Sequence, residues 1–431
     1  MGAALAGLTK LAGSRTLERT GLRAPVQNLV GAATKNGFRV AGAANRTFSS
    51  ARRLGQPARP PAPSGKGLFD LTPTEEQQMI AETVAEFAAE QLRPAAAEAD
   101  AKLAPPDGLL TRAAELGVTQ IGIPEELDGA GTERSVVTSA LIAEALAHGD
   151  LGLAVAVLAP SAVSTALVLW GDAQQQADYL PAFVGENVPA AALALQEARP
   201  LFDPFKPSVR AKRTPSGYQI DGVKSLVPRA AQAELFIVSA DLEGRGPALF
   251  LIESSTQGVS IEAEPAMGLR GAATGKLFLE KVKLPAGALL GGGSPDVFTD
   301  VVRLSRLGWA ALATGTAKAV LDYVVPYVND RTAFGEPISH RQAVAFSVAD
   351  IAIEVEGMRL VTLRAAARAE QGKPYAREVA LARKLAADKG MRIGSAGVQL
   401  LGGHGFTKEH PVERWYRDLR AIGIAEGVVL L

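Results

Sequence analysis

The hydrophobic period of this chain changes twice, and that double switch limits its fold more than any other feature. From Asp70 the text is helical. Leu71-Thr72-Pro73-Thr74-Glu75-Glu76 supplies threonine caps, a proline in the first turn and acids at the positive end of a helix dipole. Met79, Val84, Phe87 and Leu92 follow as one apolar face, and the helical pattern runs to about residue 185, broken by the Gly/Pro-rich turn from Ile123 to Gly131. A period of two then takes over. Tyr218 to Val223, Leu235 to Val238, Ala248 to Ile252 and Leu277 to Val282 read as short strands between turn residues, which predicts an antiparallel β domain. After Asp296 the helices return, with Val344, Val348, Ile351, Val355 and Met358 in one stripe opposed by Asp350, Glu354 and Arg359. The order predicts an α+β chain with a helical domain over 68–185, a middle β domain over 186–295 and a helical bundle over 296–431.

Ahead of this body lies a stretch of different character. Residues 1–66 hold eleven basic residues and one acid, Glu18. Taking these from totals of 45 and 45 leaves 34 basic and 44 acidic residues in 67–431, so the formal neutrality of the chain hides a basic leader on an acidic body. Leu22, Val26, Leu29, Val30 and Ala33 recur at helical spacing within a basic leader over 1–53. Three readings stay open for it: a helix lying on an anionic membrane, a mitochondrial transit peptide with a cleavage context at Arg46-Thr47-Phe48-Ser49, or an arm packed on its own body or a partner subunit. Residues 54–67 are rich in proline and glycine and read as a linker.

Composition removes several classes. Zero cysteine excludes a disulfide scaffold, thiol catalysis and Cys-ligated metal. Four histidines at scattered positions argue against a His-rich metal site, and no metal is expected. Balanced charge gives no case for nucleic acid. Leu151 to Gly171 is uncharged and approaches membrane-spanning length, yet Pro160 interrupts it and Asp150 and Asp172 bound it. Two buried core helices meeting at the proline are expected there, not a membrane span.

The chemistry-bearing text lies late in the chain. Arg331-Thr332-Ala333-Phe334-Gly335-Glu336-Pro337-Ile338 is followed by Gln342; Gln399-Leu400-Leu401-Gly402-Gly403-His404-Gly405-Phe406 comes next; Ile424-Ala425-Glu426-Gly427 comes last. Gly402-Gly403 lets backbone approach a ligand closely. Arg331 offers a planar fork for phosphate, and Gln342 and Gln399 add amide donors and acceptors. Glu426 is the lone carboxylate of an apolar neighbourhood, where burial would favour its protonated form and suit it to act as a base. Each element alone has a bland reading as a turn, a surface ion pair or a helix end. Their joint order does not.

Over residues 68–431 the chain resembles the acyl-CoA dehydrogenase family. The Arg331–Ile338 run with Gln342 is similar to that family's flavin diphosphate motif, and Gln399–Phe406 to its adenine-side motif, which serves a neighbouring subunit. Ile-Ala-Glu-Gly is similar to the site of the base. Pro124 to Gly131, Tyr179-Leu180-Pro181, Met267-Gly268-Leu269-Arg270 and Arg306 support the likeness. The resemblance implies a β-barrel-like middle domain, FAD held by Arg331, Phe334, Gln342, Gln399, Gly402 and Gly403, substrate contacts at Arg306 and Gly427, and Glu426 as catalytic base. It implies desaturation of an acyl-CoA, in which the base takes the α-proton as the β-hydride passes to flavin. It further implies electron delivery to an electron-transfer flavoprotein and assembly as a homodimer or homotetramer. Some relatives carry the base just before the residue matching Arg306; here Ser305 stands there, which leaves Glu426.

Two departures stand out, one in the flavin-side segments of the middle domain and one after Glu-Gly. Where relatives read Thr-Glu-Pro-x-x-Gly-Ser-Asp, this chain has Gln196-Glu197-Ala198-Arg199-Pro200-Leu201-Phe202-Asp203. Where they read Lys-x-Trp-Ile-Thr-Asn-Gly, it has Lys224-Ser225-Leu226-Val227-Pro228-Arg229-Ala230, so a threonine and a tryptophan that face the flavin ring are replaced. Relatives also continue past Glu-Gly into another helix, whereas here Val428-Val429-Leu430-Leu431 follows, which predicts an apolar surface covered by the leader or by a neighbouring subunit. A non-catalytic partner subunit, or a flavoenzyme of the same fold acting on a non-thioester, are the alternatives to the dehydrogenase. A bacterial cytoplasmic location is expected, with peripheral membrane contact through the leader, and the mitochondrial matrix is the alternative.

Overall fold

A computed structural model describes residues 57–59 and 71–431, apart from 121, 130, 132, 133, 186 and 428. The leader over 1–53 lies outside the described residues. Of the linker, Pro57 to Arg59 adopt no regular structure: the Ala58 backbone exchanges hydrogen bonds of 3.1 Å with the Gln176 amide, and Arg59 donates to the Gly171 carbonyl at 2.9 Å.

The first helices begin where the caps stand. Thr74 and Gln77 close a reciprocal box over α1 (Glu75–Phe87), which passes through a π-helical turn into α2 (Arg93–Lys102). α3 (Leu109–Glu115) is short; α4 (Val136–Gly149) starts on the Ser135 hydroxyl. Asp150 then caps α5 (Leu151–Trp170) by accepting from the Leu153 amide at 3.0 Å, and Asp172 opens α6 (Ala173–Tyr179). The uncharged stretch is thus one helix with Pro160 inside it, not two. A proline there removes a single N–H, and the packing of apolar neighbours along both flanks outweighs that loss. Among the described residues α5 alone is long and apolar enough to cross a membrane, yet 89% of its most apolar window is buried within the protein.

The middle domain is an eight-stranded sheet of β1 (Ala191–Ala194), β2 (Arg210–Thr214), β3 (Gly217–Val227), β4 (Leu235–Leu242), β5 (Gly246–Glu253), β6 (Val259–Ala263), β7 (Gly275–Pro285) and β8 (Leu289–Leu290). Its path is β6-β7-β3-β2-β4-β5-β8, with β1 beside β4. The four strands read from the sequence fall inside β3, β4, β5 and β7. β1 escaped because all four of its residues are buried and show no alternation; β2 escaped because Ala211 alone of its five is buried. Most pairs are antiparallel, but β1 and β2 both run parallel to β4 and share one of its edges end to end, Ala191 opposite Leu235 and Arg210 opposite Asp241. The loop between them, Leu195 to Val209, therefore leaves and returns to the same strand.

Four helices follow: α7 (Pro295–Asp330), α8 (Gln342–Glu370), α9 (Ala376–Leu400) and α10 (Val412–Ala421), with a small hairpin of β9 (Thr332–Ala333) and β10 (Glu336–Pro337) after α7. Ile351, Val355 and Met358 of the α8 stripe are buried, and Val344 and Val348 pack partly buried against the same core. α7 is the central post. It passes so close to α4 that a Cβ on Gly315 would stand 2.0 Å from the Glu144 carbonyl oxygen. α7 and α9 run in the same direction: Arg306 and Arg383 reach one carboxylate, Val320 lies against Gly397, and the Tyr327 hydroxyl meets the Leu401 carbonyl.

One turn ties the three units together. Leu269 donates its amide to Asp418 of α10 at 2.7 Å, Arg270 donates to the Asp100 carbonyl of α2 at 2.8 Å, and Arg417 of α10 clamps the Asp100 carboxylate with bonds of 2.7 and 3.0 Å. In the C-terminal tail Val429, Leu430 and Leu431 are themselves buried, with Val429 and Leu431 wedged against Gly308 of α7.

Candidate active site

The β1–β2 loop is pinned at its root by a buried ion pair. Glu197 accepts the Ser208 amide at 2.9 Å, the Val209 amide at 3.1 Å and Lys224 Nζ at 2.8 Å. Lys224, fully buried on β3, also donates to the Leu195 carbonyl and the Ser239 hydroxyl. Burial lowers Lys224 to about 8 with Glu197 opposing; burial raises Glu197, but Lys224 and Ser208 outweigh it and hold the carboxyl below its ordinary range. Both shifts leave the pair ionised at neutral pH. Beside it the Gln196 carbonyl accepts from Ser225, while the Gln196 side-chain oxygen is buried with no partner among the described residues.

Glu426 approaches this root from the other side. It lies between α10 and the tail, followed by Gly427 at φ +70°. A Cβ on Gly427 would stand 2.2 Å from the Leu195 Cβ, so this contact requires glycine twice over, for its backbone and for its bareness. Glu426 is buried but its neighbourhood is not apolar. Arg306 Nε stands 3.2 and 3.1 Å from its two oxygens, and Arg306 Nη2 stands 2.9 Å from one of them. Arg383 Nη2 is 3.5 Å from the carboxylate and donates to the Ala425 carbonyl at 2.7 Å. The expectation of a lone carboxylate among apolar groups is corrected here, for a plain reason. The parallel run of α7 and α9 sets two arginines side by side, 120 and 43 positions away in sequence.

Further groups complete the enclosure. The Phe205 ring, from the β1–β2 loop, lies 5.2 Å beneath the Arg306 guanidinium. Burial lowers Arg383, with Glu426 opposing, and its Nη1 is buried with no partner among the described residues. Ser305 is fully buried and points no carboxylate anywhere. The sequence reading missed Arg383, Phe205 and Leu195. Arg383 had a signal: an arginine on the apolar stripe of Val379, Ala382, Ala386 and Ile393.

The other sequence-derived residues lie elsewhere. Arg331, Phe334, Gln342, Gln399, Gly402 and Gly403 are all exposed, Phe334 at 96%, at the end of α7 and α9 remote from Glu426. The 25 positions from Arg306 to Arg331 span about 37 Å of helix. The structure thus gathers the flavin diphosphate and adenine-side motifs at one end of the bundle and holds Glu426, Arg306 and Gly427 at the other. One further surprise lies among them: of the scattered histidines, His404 and His410 come together with Glu409.

Comparison with known proteins decides the family. Models for the acyl-CoA dehydrogenase N-terminal, middle and C-terminal domains match residues 74–187, 192–282 and 296–428. The chain belongs to the acyl-CoA dehydrogenase family. It is 31% identical over 361 residues to the mitochondrial short-chain specific acyl-CoA dehydrogenase of Mus musculus, spanning 82% of this chain and 87% of that one. The structure of butyryl-CoA dehydrogenase from Megasphaera elsdenii superimposes with a TM-score of 0.76 at 29% identity, covering 83% of this chain and 96% of the other. A chain from the structure described as the electron transferring flavoprotein of Acidaminococcus fermentans gives 0.77 at 30% identity, with 83% and 96% covered.

Members of the acyl-CoA dehydrogenase family are oxidoreductases that use FAD. The departing segments still fit a flavin. Gln196 offers a buried acceptor and Arg229 Nη1 a buried donor, neither with a partner among the described residues. Each is the kind of group that the alternating carbonyl and N–H edge of an isoalloxazine satisfies. Burial lowers Arg229 to about 10, well above neutrality, so it stays a cation and a donor there.

Proposed function

We propose that this protein catalyses FAD-dependent α,β-dehydrogenation of an acyl-CoA thioester to the trans-2-enoyl-CoA, with electrons passing to an electron-transfer flavoprotein. The contact of Gly427 with Leu195 carries the reading, because it sets Glu426 against the loop bearing Gln196. Flavin, when bound, supplies the hydride acceptor. Glu426 takes the α-proton on its carboxylate, and its own backbone N–H is placed to donate to the thioester oxygen as charge builds there. Arg306 and Arg383 orient the carboxylate, while Phe205 and the buried tail keep water from it. Gln196 and Arg229 are assigned to the flavin ring, and Arg331, Phe334, Gln342, Gln399, Gly402 and Gly403 to the nucleotide end of a flavin whose ring sits in a second copy. A span of about 37 Å within one helix supports that division, and homodimer or homotetramer assembly follows from it. A short acyl group is the first to try, given the short-chain and butyryl relatives.

The test is the visible flavin band of the purified protein, bleached by adding butyryl-CoA. Glu426→Gln should keep the band and lose the bleaching. A colourless protein that FAD does not reconstitute would sink the proposal. It would favour a second reading, a partner subunit without catalysis, for which the double arginine hold on Glu426 also speaks. The proposal keeps a bacterial cytoplasmic location; the N-terminal sequence of the mature protein separates it from import into the mitochondrial matrix.

A further inference from the structure

His404, Glu409 and His410 each direct one ligand atom into a common space, all within 4.8 Å of one another. The local fold brings this about. Gly402 takes φ +58° just after α9, and the five-residue 3-10 turn from Gly402 to Phe406 folds back so tightly that a Cβ on Gly405 would stand 2.2 Å from the Val398 carbonyl oxygen. The chain then returns through Glu409 and His410 to Pro411 and α10, which places the second histidine across from the first.

The set has the chemistry of a borderline divalent cation. Two imidazoles and a carboxylate are a recurrent zinc donor set, with a water as fourth ligand. A tetrahedral ion with ligands at about 2.1 Å separates them by about 3.4 Å, and the side chains involved are exposed or half-buried and free to close by that margin. The outer partners are in place as well. The Tyr323 hydroxyl of α7 stands 2.6 Å from His410 Nδ1, which holds that ring and makes Nε2 the nitrogen left for an ion. Tyr323, Tyr327 and His404 all meet the His410 ring edge to face, at 5.5 to 5.9 Å between centroids. His404 Nδ1 already lies 2.9 Å from Glu409. The nearest basic side chain in sequence, Lys408, turns toward Asp100 instead and does not occupy the space.

We propose that His404, Glu409 and His410 bind a zinc-type divalent cation, one per chain, with Tyr323 as the group that orients His410. The ion clasps the α9–α10 turn on itself, and the Tyr323–His410 hydrogen bond ties that turn to the far end of α7. The site lies at the opposite end of the bundle from Glu426, beside the Gly402 and Gly403 that the proposed function gives to the flavin nucleotide, and its fate is decided by a separate measurement.

The experiment is calorimetric titration of Zn(II) into chelator-treated full-length protein, with a melting curve at each end point. One Zn(II) per chain is expected, together with a rise in Tm. His404→Ala and His410→Ala should each abolish both, and Tyr323→Phe should weaken binding about tenfold. His340→Ala, which alters a histidine paired with Glu336 on the β9–β10 hairpin, should change nothing. If either histidine variant fails to fold, Glu409→Gln at a largely exposed position serves in its place. Wild-type protein that binds no more Zn(II) than the His404→Ala/His410→Ala double variant overturns the proposal. Equal loss in His340→Ala overturns it too, as it would mark surface histidine binding without a built site.

Discussion

Gly427 and Leu195 are in contact across two domains, and a single methyl group does not fit between them. Gly427→Ala should therefore destabilise the protein by about 2 kcal/mol or more, from the left-handed backbone and the clash together. Thermal melting checks this. The double change Gly427→Ala/Leu195→Ala should recover part of the loss, since it removes the steric share and leaves the backbone share.

Lys224→Met should cost about 3 to 5 kcal/mol, because it strands the Glu197 carboxylate in the sheet with its ion partner gone. Glu197→Gln/Lys224→Met should cost less than Lys224→Met alone. A denaturant titration showing additive losses would contradict a paired role.

Asp418 sets a pH dependence. Burial, with Asp150 adding to it, pushes its carboxyl up to about 7, while the unfolded chain keeps the ordinary value near 4. The folded state thus holds a proton that the unfolded state has released between those values. Its stabilising share is whole below the unfolded value and is lost as the pH climbs toward 7. Asp418→Asn should flatten the fall in Tm between pH 5 and 7; an unchanged slope would refute the assignment.

Arg383→Met should lower turnover more than it raises KM for butyryl-CoA, since the side chain holds the Ala425 carbonyl and the Glu426 carboxylate without an assigned substrate contact. Steady-state kinetics separate the two. Phe205→Ala, which unstacks Arg306, should act in the same direction and more weakly, by about 1 kcal/mol in transition-state terms.

The sequence carried the architecture wherever one period ruled a segment. α8 shows its stripe and β4 its apolar run, because each answers to local burial. β1 did not show, since Ala-Ala-Leu-Ala buried on both faces has no period to read, and its parallel pairing with β4 depends on residues forty positions away. At the site, Glu426 and Gly427 were legible from their motif and Arg306 from its place. Arg383 and Phe205 were not, because their roles arise from helix direction and loop return, which adjacent residues do not encode. The cluster at His404 was hidden for the same reason: a six-position interval becomes a convergence only through the tight turn at Gly405.

The burial of α5 bears on how the chain must reach its fold. A twenty-residue segment with mean hydropathy 2.0 is chemically indistinguishable from a membrane span until α4, α7 and β1 close over it. Those partners arrive from both sides in sequence, and α7 begins more than a hundred residues later. During synthesis the helix therefore leaves the ribosome before its cover is complete, with Asp150 and Asp172 the sole charges marking its ends. A chain truncated before Pro295 would keep α4 and β1 but leave the α7 side of that segment bare, which should make it more prone to aggregate than the whole chain.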